Sequence, residues 1–287
     1  MAKSLTLNTG AKIPVIGFGT GTALYGKDAT QLVRLALDTG ITHFDGAQMY
    51  NNEDTLGAGI KASGKPRGEL FVTTKLNVLA PGESVKDSLK ASLVKLGLEY
   101  VDLFLIHDPT KAKGDLAKWW VGMEEVYREG LAKAIGVSNF KVEDLNVVLE
   151  SGTVVPAANQ IEFHPYVWKA AEPLINLCKE QGIAIESYGG LSPIVRAPGG
   201  PLDPVIAAIR ERLEETSGAP VSTGQVLTKW IFQKGAVAVT TSSKAERIQE
   251  FLAVENLPDL TSKEIDAIEE AGSKLHKRVF MRHVFGE

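Results

Sequence analysis

Four side chains in this sequence, Asp45, Tyr50, Lys75 and His107, have the chemistry to deliver a proton and to steady a developing negative charge. Three of them stand at the ends of short apolar, β-prone runs. Asp45 follows Ile41-Thr-His-Phe44, Lys75 follows Leu70-Phe-Val-Thr-Thr74, and His107 follows Val101-Asp-Leu-Phe-Leu-Ile106. Asp108-Pro109 then forces the chain out of the third run, because proline cannot donate to a strand ladder. Tyr50 comes a few residues after Asp45. In a parallel sheet or barrel every strand C-terminus opens on one face, so these four side chains are expected to converge there.

The elements that must hold them alternate along the chain. Leu5–Gly10 and Lys12–Val15 read as an N-terminal β-hairpin, and Val15-Ile-Gly-Phe-Gly-Thr-Gly21 as a strand running into a glycine-rich turn. A helix starts at Asp28 as N-cap, carries Leu32, Leu35 and Ala36 on one face, and stops at Gly40. Further strands are expected at 41–44, 70–75, 101–107, 132–137, 157–161, 183–187 and 236–240. Helices are expected between them at 52–62, from Ser84 with Val85, Leu89, Leu93 and Leu96 inward, and at 116–128, 142–149, 173–179, 204–215 and 222–232. Two more, near 244–253 and 261–271, close the chain. Eight strand–helix units without a linker predict a single (α/β)8, TIM-type barrel domain over residues 1–287, with the N-terminal hairpin and two extra helices added. An open doubly wound sheet is the alternative. It is weakened because Gly17-Phe-Gly-Thr-Gly21 lacks the third glycine of a dinucleotide fingerprint and the helix it should open.

Composition narrows the partners. With 44% apolar and 23% charged residues and a net charge of −4, the chain is an ordinary globular protein without a basic footprint, so neither nucleic acid nor an anionic membrane is an expected partner. No apolar run reaches the roughly 18 residues of a membrane span, and Met1-Ala-Lys-Ser lacks the apolar core of a leader peptide. The lone Cys178 excludes an internal disulfide and sits at helical spacing among core residues. A cytoplasmic monomer is expected.

Longer stretches carry a resemblance. Phe44-Asp-Gly-Ala-Gln-Met-Tyr-Asn-Asn-Glu53, Val72-Thr-Thr-Lys75, Leu103-Phe-Leu-Ile-His107, Ala134-Ile-Gly-Val-Ser-Asn-Phe140 and Asn159-Gln-Ile-Glu-Phe-His-Pro165 together resemble the aldo-keto reductase family, in its order, from about residue 13 to residue 251. The resemblance implies a barrel that reduces small-molecule carbonyl compounds with NADPH and uses neither metal nor flavin. It makes Tyr50 the general acid and Asp45, Lys75 and His107 the rest of a tetrad. The physics agrees: a free tyrosine has a pKa of roughly 10, and a nearby ammonium pulls it down, while Asp45 keeps Lys75 charged and a neutral His107 orients the carbonyl oxygen.

By the same resemblance the cofactor meets Thr20, Gly21 and Asp45, then Ser138, Asn139 and Gln160 at the nicotinamide carboxamide, with Tyr188 stacked under the ring. Thr241, Ser242, Ser243, Lys244, Arg247 and Glu250 would hold the adenosine phosphate end, where a helix N-terminus with hydroxyls and cations suits phosphate. The family's usual 2′-phosphate lysine is replaced by Thr241, with Lys244 the substitute, and Phe251 stands where an Asn is usual. NADPH is favoured, and NADH use stays open.

The substrate pocket is expected from Tyr25, Asp108, Trp120 and Trp168, with Trp119 a further candidate wall. Asp108 and the Gly-Thr-Gly-Thr22 start are similar to fungal members acting on α-dicarbonyls, ketoamides or conjugated polyketones. The tail after Gly272 is short, so it is expected to cover the barrel mouth less than in longer relatives. Blander readings stand beside these. Asp45 and Lys75 could form a structural ion pair, Lys75 could be a Schiff-base nucleophile, and His43 and His164 read as structural. The whole barrel could be a cofactor-binding redox sensor with little turnover.

Overall fold

Eight short runs, most of them buried nearly throughout, pair in parallel and close on themselves in the computed structural model, which describes residues 3–286. Met1 and Ala2, the first half of the stretch read for a leader, lie outside the described residues. After a hairpin of β1 (Ser4–Thr6) and β2 (Lys12–Pro14) come β3 (Ile16–Gly19), β4 (His43–Asp45), β5 (Phe71–Leu76) and β6 (Leu103–Ile106). They are followed by β7 (Ile135–Ser138), β8 (Ala158–Glu162), β9 (Ala184–Tyr188) and β10 (Val237–Thr240), and β10 pairs back onto β3. The expected (α/β)8 barrel is the observed fold.

Side chains alternate along each strand, as the two-residue period of a pleat requires. Along β5, Val72 and Leu76 join the shell between strands and helices, while Phe71 joins a second cluster inside the barrel. That inner cluster holds Leu103, Leu105, Ala158 and Val237, together with Leu7 and Ile13 from the hairpin. Phe71, Leu103, Ala158 and Val237 are all first residues of their strands. The hairpin therefore plugs the N-terminal end of the barrel with apolar surface and leaves the C-terminal end for polar work.

The helices wrap the outside, and glycines set how closely two of them approach. A Cβ on Gly59 would come within 2.7 Å of the Val33 side chain, and one on Gly57 within 2.2 Å of the Leu96 carbonyl oxygen. Helix 30–39 buries Val33, Ala36 and Leu37 most deeply; Leu32 and Leu35, expected to lead that face, are only partly covered. The helix is wedged between barrel and neighbouring helix, so its buried stripe turns toward Gly59. Asp28 does accept the Thr30 amide at 2.8 Å, although the helix begins at Thr30.

The stretch 173–179 sits in a helix, as expected, and that helix runs from Pro165 to Glu180. Pro165 sits in its first turn, where a missing N–H costs nothing, and Pro173 is accommodated inside. Beyond one helix per barrel strand the described residues carry four, not the two expected: helices 203–217 and 262–273, and the short helices Ser192–Arg196 and Arg282–Phe285, each too brief to show a spacing in the sequence. Among the described residues no helix is long and apolar enough to cross a membrane.

Candidate active site

Asp45 ends β4, Lys75 is the penultimate residue of β5, and His107 follows β6 directly, its amide bonded to the Leu76 carbonyl at 3.0 Å. Strand parity turns all three inward at the open end. Tyr50 closes a short 3-10 turn, 48–50, that is pinned from below. Gln48 accepts the Asn77 amide at 2.9 Å and donates to Ser88 and Ser92, while Asn52 donates to the carbonyls of Thr20 and Leu24, 2.8 Å each. These last bonds draw the β3 loop against the tyrosine. A Cβ on Gly21 would lie 2.8 Å from the Tyr50 ring, so only glycine lets the ring stand where it does.

The Lys75 ammonium is fully buried and all three of its protons have acceptors. It donates to Asp45 Oδ1 at 2.6 Å, to the Gly46 carbonyl at 2.9 Å and to Tyr50 Oη at 3.4 Å. An ammonium has no lone pair, so Tyr50 must be the acceptor in that contact. Its own proton is then left to point into the cavity. Burial works to lower the Lys75 pKa, but the Asp45 charge and bond outweigh it and hold the lysine above its usual range.

The expected lowering of the tyrosine pKa is not what the free chain shows. Burial raises Tyr50 above 10, and Lys75 opposes that without reversing it. Burial, assisted by the Lys75 charge, pushes His107 down to about 3, so its imidazole is neutral. The His107 ring meets Tyr50 edge-on, with centroids 5.6 Å apart, and its Nδ1 has no partner among the described residues.

A cavity of about 810 Å³ opens over this group and runs toward the end of β10. Asn139, Gln160 and Tyr188 line it at the tetrad end; Thr241, Arg247, Glu250 and Phe251 line the other end. Asn139 takes a positive φ of 62° and donates to the His107 carbonyl at 2.9 Å, while its Oδ1 accepts from the Tyr188 hydroxyl at 2.6 Å. Phe280 braces the other side of Tyr188 at 5.8 Å between ring centroids. Arg247 stands in the first turn of helix 245–253 with no bond or ion pair to the rest of the described chain, so its five donors face solvent and cavity. An elongated pocket with fixed amides and a fixed aromatic at one end and an unpaired guanidinium on a helix N-terminus at the other fits a phosphorylated dinucleotide.

Several residues read from sequence stand elsewhere. Ser138 is buried and spends its proton on the Gln160 carbonyl at 2.8 Å; Thr20 is buried and donates to the Asp45 carbonyl at 3.3 Å. Ser242, Ser243 and Lys244 form the cap of helix 245–253, with Lys244 N bonded to Ser242 Oγ, and none of them lines the cavity. Tyr25 does line it, 6.4 Å from the Tyr50 ring.

Asp108, Trp119, Trp120 and Trp168 do not. Trp120 is buried outside the barrel with Nε1 donating to the Val154 carbonyl at 3.1 Å, and Trp168 packs on Phe163 and Trp230. A tryptophan marks apolar surface in a sequence without showing which side of the strands it faces. The Asp108 carboxylate is taken by Thr110 within its own loop and by His283, 3.0 Å away in the tail.

That tail, short as it is, supplies cavity wall beyond the four pocket residues expected from the sequence. Glu162, fully buried, accepts the amides of Val279 and Phe280 at 2.8–3.0 Å, which sets Phe280 and Met281 on the cavity wall with Met49 and Leu191. Nothing in local spacing announces a tail held by residues more than a hundred positions earlier. Glu186 does carry a local signal, a charged residue within the apolar run Ile183-Ala-Ile-Glu-Ser187; it is fully buried beside Gln160.

Comparison with known proteins follows the same lines. The Aldo/keto reductase family matches residues 15–273. An NAD/NADP-dependent indole-3-acetaldehyde reductase of Schizosaccharomyces pombe is 40% identical, over 96% of this chain and 97% of that protein. An NADPH-dependent alpha-keto amide reductase of Saccharomyces cerevisiae is 34% identical, over 98% and 95%. A Bombyx mori aldo-keto reductase solved in complex with NADP superposes with a TM-score of 0.85 at 31% identity, covering 99% of this chain and 96% of that one.

The buried groups also predict how stability follows pH. Burial holds His43 down to about 4, His107 to about 3 and His164 below its usual value, and pushes Glu186 up to about 8 with Asp45 adding to the shift. Between about pH 4.5 and 6.5 the unfolded chain therefore binds more protons than the folded one, and stability rises with pH. From about 6.5 to 8 the folded chain keeps the Glu186 proton that the unfolded chain has lost, and stability falls. The urea midpoint is expected to peak near neutrality, close to pH 6.5; a midpoint that climbs steadily through pH 8 contradicts this.

Proposed function

This chain belongs to the aldo/keto reductase family, and from that premise we infer that it reduces aldehydes and activated ketones to alcohols, with NADPH before NADH and with Tyr50 as the proton donor. The observation that carries the reading is the saturated Lys75 ammonium, which leaves the Tyr50 proton free for the cavity. The reduced nicotinamide, when bound, supplies the hydride.

The chain's own residues would do the rest. A carbonyl oxygen seated between Tyr50 and His107 accepts hydrogen bonds from the phenol and from the neutral imidazole, which fixes the exposed face of the carbon. As negative charge builds on that oxygen, Tyr50 passes its proton across. The phenolate left behind sits beside an ammonium already 3.4 Å away, so the stabilisation is largest in the transition state and after it. A resting Tyr50 pKa above 10 is no obstacle, because Lys75 acts on the charge as it appears. Asp45 keeps that ammonium charged without reaching the substrate.

Asn139 and Gln160 would hold the nicotinamide carboxamide, Tyr188 the ring face, and Thr241, Arg247 and Glu250 the adenosine end. The thinned basic cluster, with threonine at 241 and Lys244 off the wall, supports use of NADH as a second cofactor. The NAD/NADP-dependent relative is in keeping with that. Tyr25, Met49, Leu191, Phe280 and Met281 make an apolar surround, which suits a carbonyl carried on an apolar or aromatic body. The aldehyde and keto amide named for the two relatives fall within that class. A single buried cysteine supports a reducing compartment, and a monomer completes the reading.

Tyr50→Phe is expected to bind NADPH like the wild type and to lose about a hundredfold or more in kcat on aldehydes, α-dicarbonyls and ketoamides, followed as NADPH oxidation. Turnover within a few-fold of wild type would remove Tyr50 as the donor. Arg247→Ala should weaken NADPH by about tenfold to a hundredfold while NADH changes little; equal losses would show that Arg247 does not meet the 2′-phosphate.

A further inference from the structure

Beneath the tetrad lies a second buried acid that the mechanism above does not use. Glu186 points into the barrel from β9 and is fully buried. Its Oε2 accepts from Gln160 Nε2 at 3.3 Å, and its Oε1 has no partner among the described residues. The same Gln160 nitrogen donates to Asp45 Oδ2 at 2.7 Å. An amide nitrogen has two protons, so both are taken inside the barrel, one by each acid. Asp45 decides which end of the amide is which, since a carbonyl oxygen 2.7 Å from a carboxylate oxygen would be repelled.

The neighbours of Glu186 suit a carboxylic acid better than a carboxylate. His43 Nδ1 faces the Pro14 carbonyl at 3.2 Å and must donate there, which leaves on Nε2 a lone pair that accepts from Thr73 Oγ1 at 3.5 Å and lies 3.9 Å from Glu186 Oε2. A neutral acid at that point avoids opposing this lone pair and avoids drawing Lys75 away from Asp45. The high pKa that burial gives Glu186 agrees. Gln160 Oε1, by contrast, receives no bond from the described residues while Gln160 lines the cavity.

We propose that Glu186 is a positioning residue for hydride transfer: with Asp45 it occupies both amide protons of Gln160, so that Gln160 presents only its carbonyl oxygen to the cavity, as the acceptor for the carboxamide NH₂ of the nicotinamide. This rests on the reductase reading given above. Without Glu186 the second amide proton is left buried and unpaired, the side chain swings to find water or the cavity, and the acceptor is lost.

The test compares two cofactors that differ only at that group. NADPH carries a carboxamide; its 3-acetylpyridine analogue carries an acetyl group, which cannot donate. Dissociation constants are read from quenching of protein fluorescence, without turnover. Wild type is expected to prefer NADPH by about three- to tenfold through this one hydrogen bond. Glu186→Leu should erase the preference by weakening NADPH alone. Glu186→Gln, whose side-chain carbonyl still accepts, should restore most of it. If leucine disturbs the barrel, Glu186→Ala carries the same comparison. A preference that survives in the leucine or alanine variant, equal weakening of both cofactors, or loss of the preference in Glu186→Gln overturns the proposal while leaving the reductase reading intact. Wild type that binds neither cofactor overturns both.

Discussion

A lysine ammonium cannot be taken out of water without a replacement for each of its lost hydrogen bonds and for the screening of its charge. Lys75 is buried to zero exposure, and the arrangement around it follows from that demand. Asp45 supplies the counter-charge, the Gly46 carbonyl a second acceptor, and Tyr50 the third. Only the third is a group that can give up a proton of its own, and its ring stands on the cavity wall. The charge that would otherwise destabilise the fold is thereby held where a reaction can use it. Asp45 in turn needs its second oxygen satisfied, which brings in Gln160, and through Gln160 the acid below. Structure and chemistry here share one set of bonds.

The barrel is what makes such a stack possible. Its interior is layered along the strands: hairpin and strand-start apolar residues close the bottom, His43, Thr73 and Glu186 occupy the middle, and the tetrad stands at the top. Parity places them, because residues two apart along a strand share a face; Phe71, Thr73 and Lys75 are one example, and Glu186 and Tyr188 another. A one-residue slip in β5 would send Lys75 into the apolar shell. The closed ladder, with each strand paired on both sides, prevents that slip.

How much of this was legible in the sequence depends on how local the cause is. The strand ends that carry Asp45, Lys75 and His107 could be read because apolar runs, their polar terminators and the alternation with helices are local signals. The barrel followed from counting them. The places of the tryptophans are not local in this sense, because a large aromatic looks the same in sequence whether it lines a pocket or packs against a loop; the Val154 carbonyl that takes Trp120 Nε1 is 34 positions away. Asp108 looked like pocket wall beside His107, yet a histidine near the end of the chain claims it. The tail itself depends on Glu162, a contact across 117 positions. Glu186 alone gave a fair warning, since a charge amid β-branched and small residues in a barrel strand must have a buried partner or a proton.

The claim on which the rest hangs is that Lys75 serves the Tyr50 proton rather than the fold alone. Its most direct test is carbonyl reduction by Lys75→Met, a substitution of similar length that fills the same space without charge. NADPH affinity and the folded state, checked by fluorescence quenching and circular dichroism, are measured on the same preparation. The account predicts a folded protein that still binds NADPH and whose kcat is lower by about a hundredfold or more. A folded Lys75→Met that binds NADPH and turns over within a few-fold of wild type would show that the buried ammonium is a structural ion pair and that the proton reaches the substrate by another route.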